Sequence, residues 1–212
     1  MKHIISKHKF LFLVTIAVFL LAGYRQGTSA SIRQDGPMIQ MKEAVDQILV
    51  IMRGEQFSQP ETRADEKKRI VAILQQHFDF EEMSMRTLAR YWKERTPEEK
   101  QYFMKLFTRL LENTYVDRVD TYSGELLVFT GEKIKGRYAE VYSNFVKNNL
   151  EVPVYYRLKN DNGSWKVYDV IIEGVSLIRN YRTQFQSILD RENYQELVKK
   201  MEEKVAKLKE TQ

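Results

Sequence analysis

Val152-Pro153-Val154-Tyr155-Tyr156-Arg157-Leu158-Lys159-Asn160-Asp161-Asn162-Gly163-Ser164-Trp165-Lys166-Val167-Tyr168-Asp169-Val170-Ile171-Ile172 places two runs of β-branched and aromatic residues on either side of Asn-Gly. Asn-Gly is a strong hairpin signal, because both central residues of a type I′ turn need positive φ. A turn centred on Asn162 and Gly163 sets Asp161 opposite Ser164, Leu158 opposite Val167, Tyr156 opposite Asp169 and Val154 opposite Ile171. One face of the hairpin then carries Val154, Tyr156, Leu158, Trp165, Val167 and Ile171, with one carboxylate, Asp169, among them. The other face carries Tyr155, Arg157, Lys159, Lys166 and Tyr168, which suits water near the turn. Directly after the second strand, Glu173-Gly174-Val175-Ser176 turns the chain into a helix, with Gly174 freeing the corner and Ser176 as its N-cap.

Working outward, Tyr122–Phe129 and Arg137–Phe145 carry strand composition and are joined through Gly131–Gly136. With the hairpin they predict four consecutive strands, most simply an antiparallel meander. Upstream, Met38–Met52 has a helical apolar stripe that Gly54–Pro60 breaks. A second helix runs from about Glu61 to His77. Asp79 opens a short helix with Glu82 at the capping-box position. Thr96-Pro97-Glu98-Glu99 is a stronger start, combining N-cap, proline at the first helical position and a glutamate three residues after the cap. The helix it opens presents Phe103, Leu106, Phe107, Leu110, Leu111, Thr114 and Tyr115 on one face. After Gly174, Leu177, Ile178, Tyr181, Phe185, Ile188 and Leu189 stripe one helix, and Tyr194, Leu197, Val198, Met201, Val205 and Leu208 the last. The prediction is one α+β domain: a four-stranded antiparallel curved sheet with helices packed on one face.

The chain has 212 residues and a net charge of +5. Its first thirty residues hold Lys2, Lys7, Lys9 and Arg25 and no acid, so without them the net charge is +1. The basic pI is thus largely a property of that leader, and a nucleic-acid reading based on net charge loses its support. Phe10–Leu21 is an apolar run behind a lysine-bearing start, and Thr28-Ser29-Ala30 supplies small residues before Ser31. This is the pattern of a secretory signal peptide, predicted to be cleaved so that 31–212 form the mature domain. The run falls well short of the roughly twenty apolar residues that span a bilayer. Tyr24 stands where a lipoprotein would carry its lipidated cysteine. There is no cysteine at all, which removes disulfides, thiol catalysis and zinc–thiolate sites.

The hairpin and corner motifs Val-Pro-Val-x-Tyr-Arg-Leu (152–158), Gly-x-Trp-Lys-Val-Tyr-Asp-Val (163–170) and Ile-Glu-Gly-Val-Ser-Leu-Ile-Arg-Asn-Tyr-Arg-x-Gln-Phe (172–185) resemble the MlaC family. So do Phe78-Asp79-Phe80-Glu81-Glu82-Met83-Ser84, Leu88-Ala89-Arg90-Tyr91-Trp92 and Thr96-Pro97-Glu98-Glu99 upstream. The resemblance covers about residues 38–208, with several motifs in the right order. It implies a periplasmic phospholipid carrier, with no cofactor beyond its lipid cargo. Its partners would be an inner-membrane Mla ABC transporter complex and an outer-membrane Mla lipoprotein complex. It further implies that sheet and helices are held apart around an apolar pocket for acyl chains. Carried onto this chain, Val154, Tyr156, Leu158, Val167 and Ile171 would floor that pocket. Phe80, Met83, Leu88, Trp92, Phe103, Phe107, Leu110, Leu177 and Tyr181 would wall it. Periodicity alone says only that these residues are apolar and face inward.

Three polar features invite chemistry. Asp169, opposite Tyr156 on an apolar face, suits a base in a dry pocket and hence a secreted small-molecule enzyme. The plainer reading is a carboxylate held by Tyr156, an arginine or backbone donors, fixing the sheet-to-helix corner. His77 is the only histidine after the leader, so a Ser-His-Asp triad or multi-histidine metal site has nothing to build on, and a helix-end role suits it better. Glu81 and Glu82 are sequence neighbours, so they diverge on a helix and serve capping rather than paired acid–base work. Asn162-Gly163-Ser164 matches a glycosylation sequon that the turn already explains. Arg157, Arg179 and Arg182 are candidates for a head-group phosphate or an acidic docking surface, or are simply solvated. A purely structural adaptor, using its apolar core for folding alone, is the third reading.

Overall fold

A computed structural model of the chain describes residues 36–116, 120, 126–147 and 150–210. The predicted signal peptide and the first part of the strand expected at Tyr122–Phe129 lie outside the described residues. Among the described residues, five antiparallel strands, β1 (Leu126–Lys135), β2 (Tyr138–Lys147), β3 (Leu150–Asp161), β4 (Ser164–Ile172) and β5 (Val175–Ser176), lie side by side in chain order. The helices are α1 (Pro37–Arg53), α2 (Glu55–Ser58), α3 (Pro60–His77), α4 (Phe80–Leu88), α5 (Pro97–Tyr115), α6 (Leu177–Leu189) and α7 (Tyr194–Glu210). A 3₁₀ segment, Ala89–Glu94, joins α4 to the start of α5.

The Asn-Gly turn forms as its chemistry requires, with φ of 50° at Asn162 and 96° at Gly163. Asp161 pairs with Ser164 and Leu158 with Val167, as expected. Beyond that the register shifts. Arg157 pairs with Asp169, Tyr156 with Val170 and Val154 with Ile172, so Tyr168 is the extra residue of a β-bulge. Strict alternation therefore fails at one residue, and everything after it changes face. Val170 and Ile172 replace Asp169 and Ile171 on the inner face. The expected Tyr156–Asp169 pair does not exist.

Two further departures have the same origin in local backbone chemistry. Glu173 and Gly174 have φ of 49° and 79°. They close a second two-residue hairpin, so Val175-Ser176 returns as a short fifth strand instead of passing straight into helix. Gly131 lies within β1 next to a register shift, and the strand continues to Lys135. A glycine inside a strand marks a bulge as readily as a loop.

Helix starts follow their caps. Thr96 and Glu99 form the full capping box of α5, with the Thr96 hydroxyl accepting from the Glu99 amide at 3.2 Å and the Glu99 carboxylate accepting from the Thr96 amide at 3.0 Å. At α4 only half of it forms. Asp79 accepts from the Glu82 amide at 2.9 Å. Its own N–H donates instead to the Val167 carbonyl at 2.8 Å, where Phe78 makes a parallel bridge to the edge of β4. The Glu82 carboxylate is thereby released to bind Lys159 of β3 and Arg86 one turn on.

Glu82 is 5% exposed. Burial alone would raise its pKa, but the ammonium of Lys159 and the guanidinium of Arg86 together hold it below the ordinary value of 4.5. A lowered folded-state pKa means stability that is fully present above the unfolded value and lost as pH falls through the folded one. Glu82→Gln is expected to destabilise by about 1–3 kcal/mol at neutral pH, breaking a largely buried pair that retains some solvent contact. The deficit should shrink below pH 4.5. Urea melts at pH 7 and pH 3.5 check this, and an equal deficit at both would refute it.

The core is divided. One cluster lines the inner sheet face (Val141, Val152, Leu158 and Val167 among its most buried members). A second joins α4 to α7, where Phe103, Phe107, Tyr181 and Phe185 contact one another with centroids 5.2–5.9 Å apart. A third packs α1 on α3 and Val116. A small fourth, Val45 and Leu49, faces Phe129.

Candidate functional site

Where these clusters meet, the packing is incomplete. A cavity of about 170 Å³ lies between them. Helix α1 contributes Met41, Ala44, Val45 and Ile48, one stripe at helical spacing. Helix α3 adds Ile70, Ile73, Leu74 and His77, and the junction to α4 adds Phe78, Phe80 and Met83. The end of α5 contributes Leu111, Glu112, Tyr115 and Val116. The sheet supplies Val154, Tyr156, Val170 and Ile172, and Leu177 opens α6 beside them.

Few of these side chains are polar. The Tyr156 phenol is fully enclosed. Burial pushes its pKa well above the ordinary tyrosine value, and the Ser143 side chain is its hydrogen-bonding neighbour. His77 is lowered from 6.5 chiefly by burial, with Glu43 opposing and Lys166 assisting. Glu112 accepts from the Gln75 amide at 2.8 Å. Among the described residues, no group of three or more His, Asp or Glu side chains is placed to hold a metal ion. A mostly apolar cavity of this kind suits apolar guests.

Asp169 belongs to a different structure, the corner between sheet and α6. It is 4% exposed. One carboxylate oxygen accepts from the Ser176 hydroxyl at 2.7 Å, and the other from the Ile178 amide at 3.1 Å. The Arg157 guanidinium lies 3.5 Å away. Ser176 in turn accepts from the Arg179 amide at 3.0 Å. Asp169 and Ser176 therefore cap α6 together, with the carboxylate at the positive end of the helix. The plainer sequence reading of Asp169 describes this corner, except that Tyr156 takes no part in it.

The sequence profile described as MlaC protein matches residues 42–203. The chain belongs to the MlaC family. A Haemophilus influenzae relative, the intermembrane phospholipid transport system binding protein MlaC, is 24% identical over 195 residues, covering 89% of this chain and 91% of its own. The toluene tolerance protein ttg2D of Pseudomonas putida is 33% identical over 104 residues, 48% of each chain. Among solved structures, the phospholipid-binding protein of Ralstonia solanacearum in complex with a phospholipid superposes with a TM-score of 0.69 at 25% identity. That match covers 80% of this chain and 97% of the other.

Of the residues assigned to the pocket by resemblance to MlaC proteins, Phe80, Met83, Val154, Tyr156 and Leu177 lie on the cavity wall. Leu88, Phe103, Phe107 and Leu110 are packed instead in the α4–α7 cluster, with Trp92 and Tyr181 against it. Their helical stripe faces α6 and α7, whose own stripes fill the space. Leu158 and Val167 sit within the sheet cluster, closer to the turn than the cavity reaches. Ile171 is turned to the opposite face by the bulge at Tyr168. The candidate arginines are engaged elsewhere or stand apart. Arg157 pairs with Glu140 at 3.2 Å as well as with Asp169. Arg182 donates to the Arg86 carbonyl at 2.6 Å. Arg179 is exposed on α6.

The resemblance does not supply the α1 and α3 walls. Their apolar stripes are visible in the sequence, but a stripe does not say whether it meets side chains or a void. His77, read as a helix-end residue, does end α3 and also reaches the wall.

Proposed function

We propose that the protein is a periplasmic phospholipid carrier that holds acyl chains in the cavity between sheet and helices and performs no covalent chemistry. The observation that carries this is the unfilled apolar space at the meeting of its core clusters, in a chain of the MlaC family. Burying one methylene is worth about 0.8 kcal/mol, so two acyl chains amount to roughly 20 kcal/mol. A free lipid crosses water at that cost. A protein that encloses acyl methylenes removes about 0.8 kcal/mol for each one it takes in, and the cavity of about 170 Å³ receives the first of them. The walls suit release as well as capture. They offer dispersion contacts and adaptable methionines, Met41 and Met83, with little directional bonding.

In this reading the leader is a signal peptide cleaved before Ser31, and 31–212 is the mature carrier. Its lipid passes between an outer-membrane Mla lipoprotein complex and an inner-membrane Mla ABC transporter. The enzyme alternative rested on Asp169 beside Tyr156. With the two on opposite faces of the hairpin, and Asp169 bound to Ser176, Ile178 and Arg157, that pairing gives it no support.

Gentle purification of the mature protein, organic extraction and mass spectrometry form the direct test. Near-stoichiometric phospholipid is expected. Protein that is lipid-free, and stays so after incubation with phospholipid vesicles, would overturn the proposal.

A further inference from the structure

The β1–β2 turn, Lys133-Ile134-Lys135-Gly136-Arg137-Tyr138, takes no part in the cavity or the α6 corner. Lys133, Lys135 and Arg137 are exposed, and among the described residues none makes a close salt bridge, although the charge of Lys133 acts on Glu140 across the ladder. The two nearby carboxylates are committed elsewhere. Glu132 accepts from the Met38 amide at 2.7 Å, at the start of α1. Glu140, across from Lys133, accepts from Arg157 at 3.2 Å and from the Tyr142 hydroxyl at 2.8 Å. Ile134, 51% exposed, stands between the two lysines, and Tyr138, 39% exposed, follows Arg137 with its ring edge-on to Tyr168 at 6.1 Å.

The tip is both firm and clear of its surroundings. The β1–β2 ladder stays in register to Lys135 and Tyr138. The Arg137 carbonyl accepts from the Asn160 amide at 2.8 Å, tying the turn to β3. A side chain built on Gly136, which has φ of 59°, would meet nothing within 4 Å.

We infer that the β1–β2 hairpin tip docks on an anionic phospholipid surface. Lysines and an arginine without close salt bridges act on such a surface through the field of its charged head groups, without fixed geometry. An isoleucine and a tyrosine beside them suit the boundary between head groups and acyl chains. Two of the three cations are lysines, which are depleted from protein interfaces, and this favours the lipid surface over a protein partner even with Arg137 and Tyr138 beside them. This inference uses no residue of the cavity and goes beyond the carrier reading.

The test is co-sedimentation of the mature protein with vesicles of equal parts phosphatidylcholine and phosphatidylglycerol, and with pure phosphatidylcholine vesicles. Binding to the anionic vesicles alone, weakened by raised salt, is expected. The triple variant Lys133→Gln/Lys135→Gln/Arg137→Gln should lose on the order of a hundredfold in partition coefficient, given the contribution of each cation near such a surface. Ile134→Ser should lose a few-fold through its apolar contact. Phospholipid extracted from these variants should match the parent, so failure here and failure of the carrier reading are separately visible. No binding by the parent, equal binding to both vesicles, undiminished binding by the triple variant, or binding only to an acidic polypeptide such as polyglutamate would each overturn the inference.

Discussion

Ala44→Trp is expected to weaken retention of phospholipid against competing vesicles at least tenfold while leaving the fold standing. Ala44 is 5% exposed on the α1 wall and lines the same cavity as Val154 and Tyr156. An indole there occupies space that an acyl chain needs. Excluding two methylenes already costs the lipid about 1.6 kcal/mol, more than a tenfold change in affinity. The protein itself fares better, since overpacking costs about 1–3 kcal/mol and the void absorbs part of that. Leu110→Ala, in the packed helical cluster, should do the reverse. It should cost about 2–5 kcal/mol in stability and leave the lipid-to-protein ratio of folded material unchanged. Lipid phosphorus per mole of protein after incubation with competing vesicles, beside a thermal melt, decides the matter. Parent-like retention in Ala44→Trp would remove the cavity from consideration.

Asp169→Ala should be the most damaging single polar change. It strands the Ser176 hydroxyl and the Ile178 amide in a buried corner and takes one of two carboxylates from Arg157. Removing one partner of a buried pair costs about 3–5 kcal/mol. Because Arg157 keeps Glu140, about 2–4 kcal/mol is expected, lowering the melting temperature by roughly 5–15 °C for a domain of this size. Asp169→Asn keeps an acceptor for the helix amide and should lose less, with lipid content unchanged. A parent-like melt for Asp169→Ala would show that the corner does not depend on this carboxylate.

How far the sequence could be read is decided by kinds of residue. Asn162-Gly163 and Thr96-Pro97-Glu98-Glu99 were legible because turn and cap chemistry act within a few residues. Tyr168 was not, because nothing about a tyrosine in a strand announces that it will be left unpaired. That one residue moved Val170 and Ile172 onto the cavity wall and Asp169 off it. The half-formed capping box of α4 is similar. Whether Glu82 reaches back to Asp79 depends on Val167, far along the chain, claiming the Asp79 amide first. The cavity was the least legible feature. Met41, Ala44, Ile48, Ile70 and Ile73 have the same composition and spacing whether they pack against side chains or against nothing. Only the resemblance to MlaC proteins raised the second possibility.

Four core clusters meet around a cavity rather than closing on one another. A guest that enters supplies the missing contacts, so the loaded form should outlast the vacant one under heat or protease by an amount that grows with guest concentration. Each delivery then returns the chain to its weaker form, and the acceptor must outbid the protein's own tendency to stay whole.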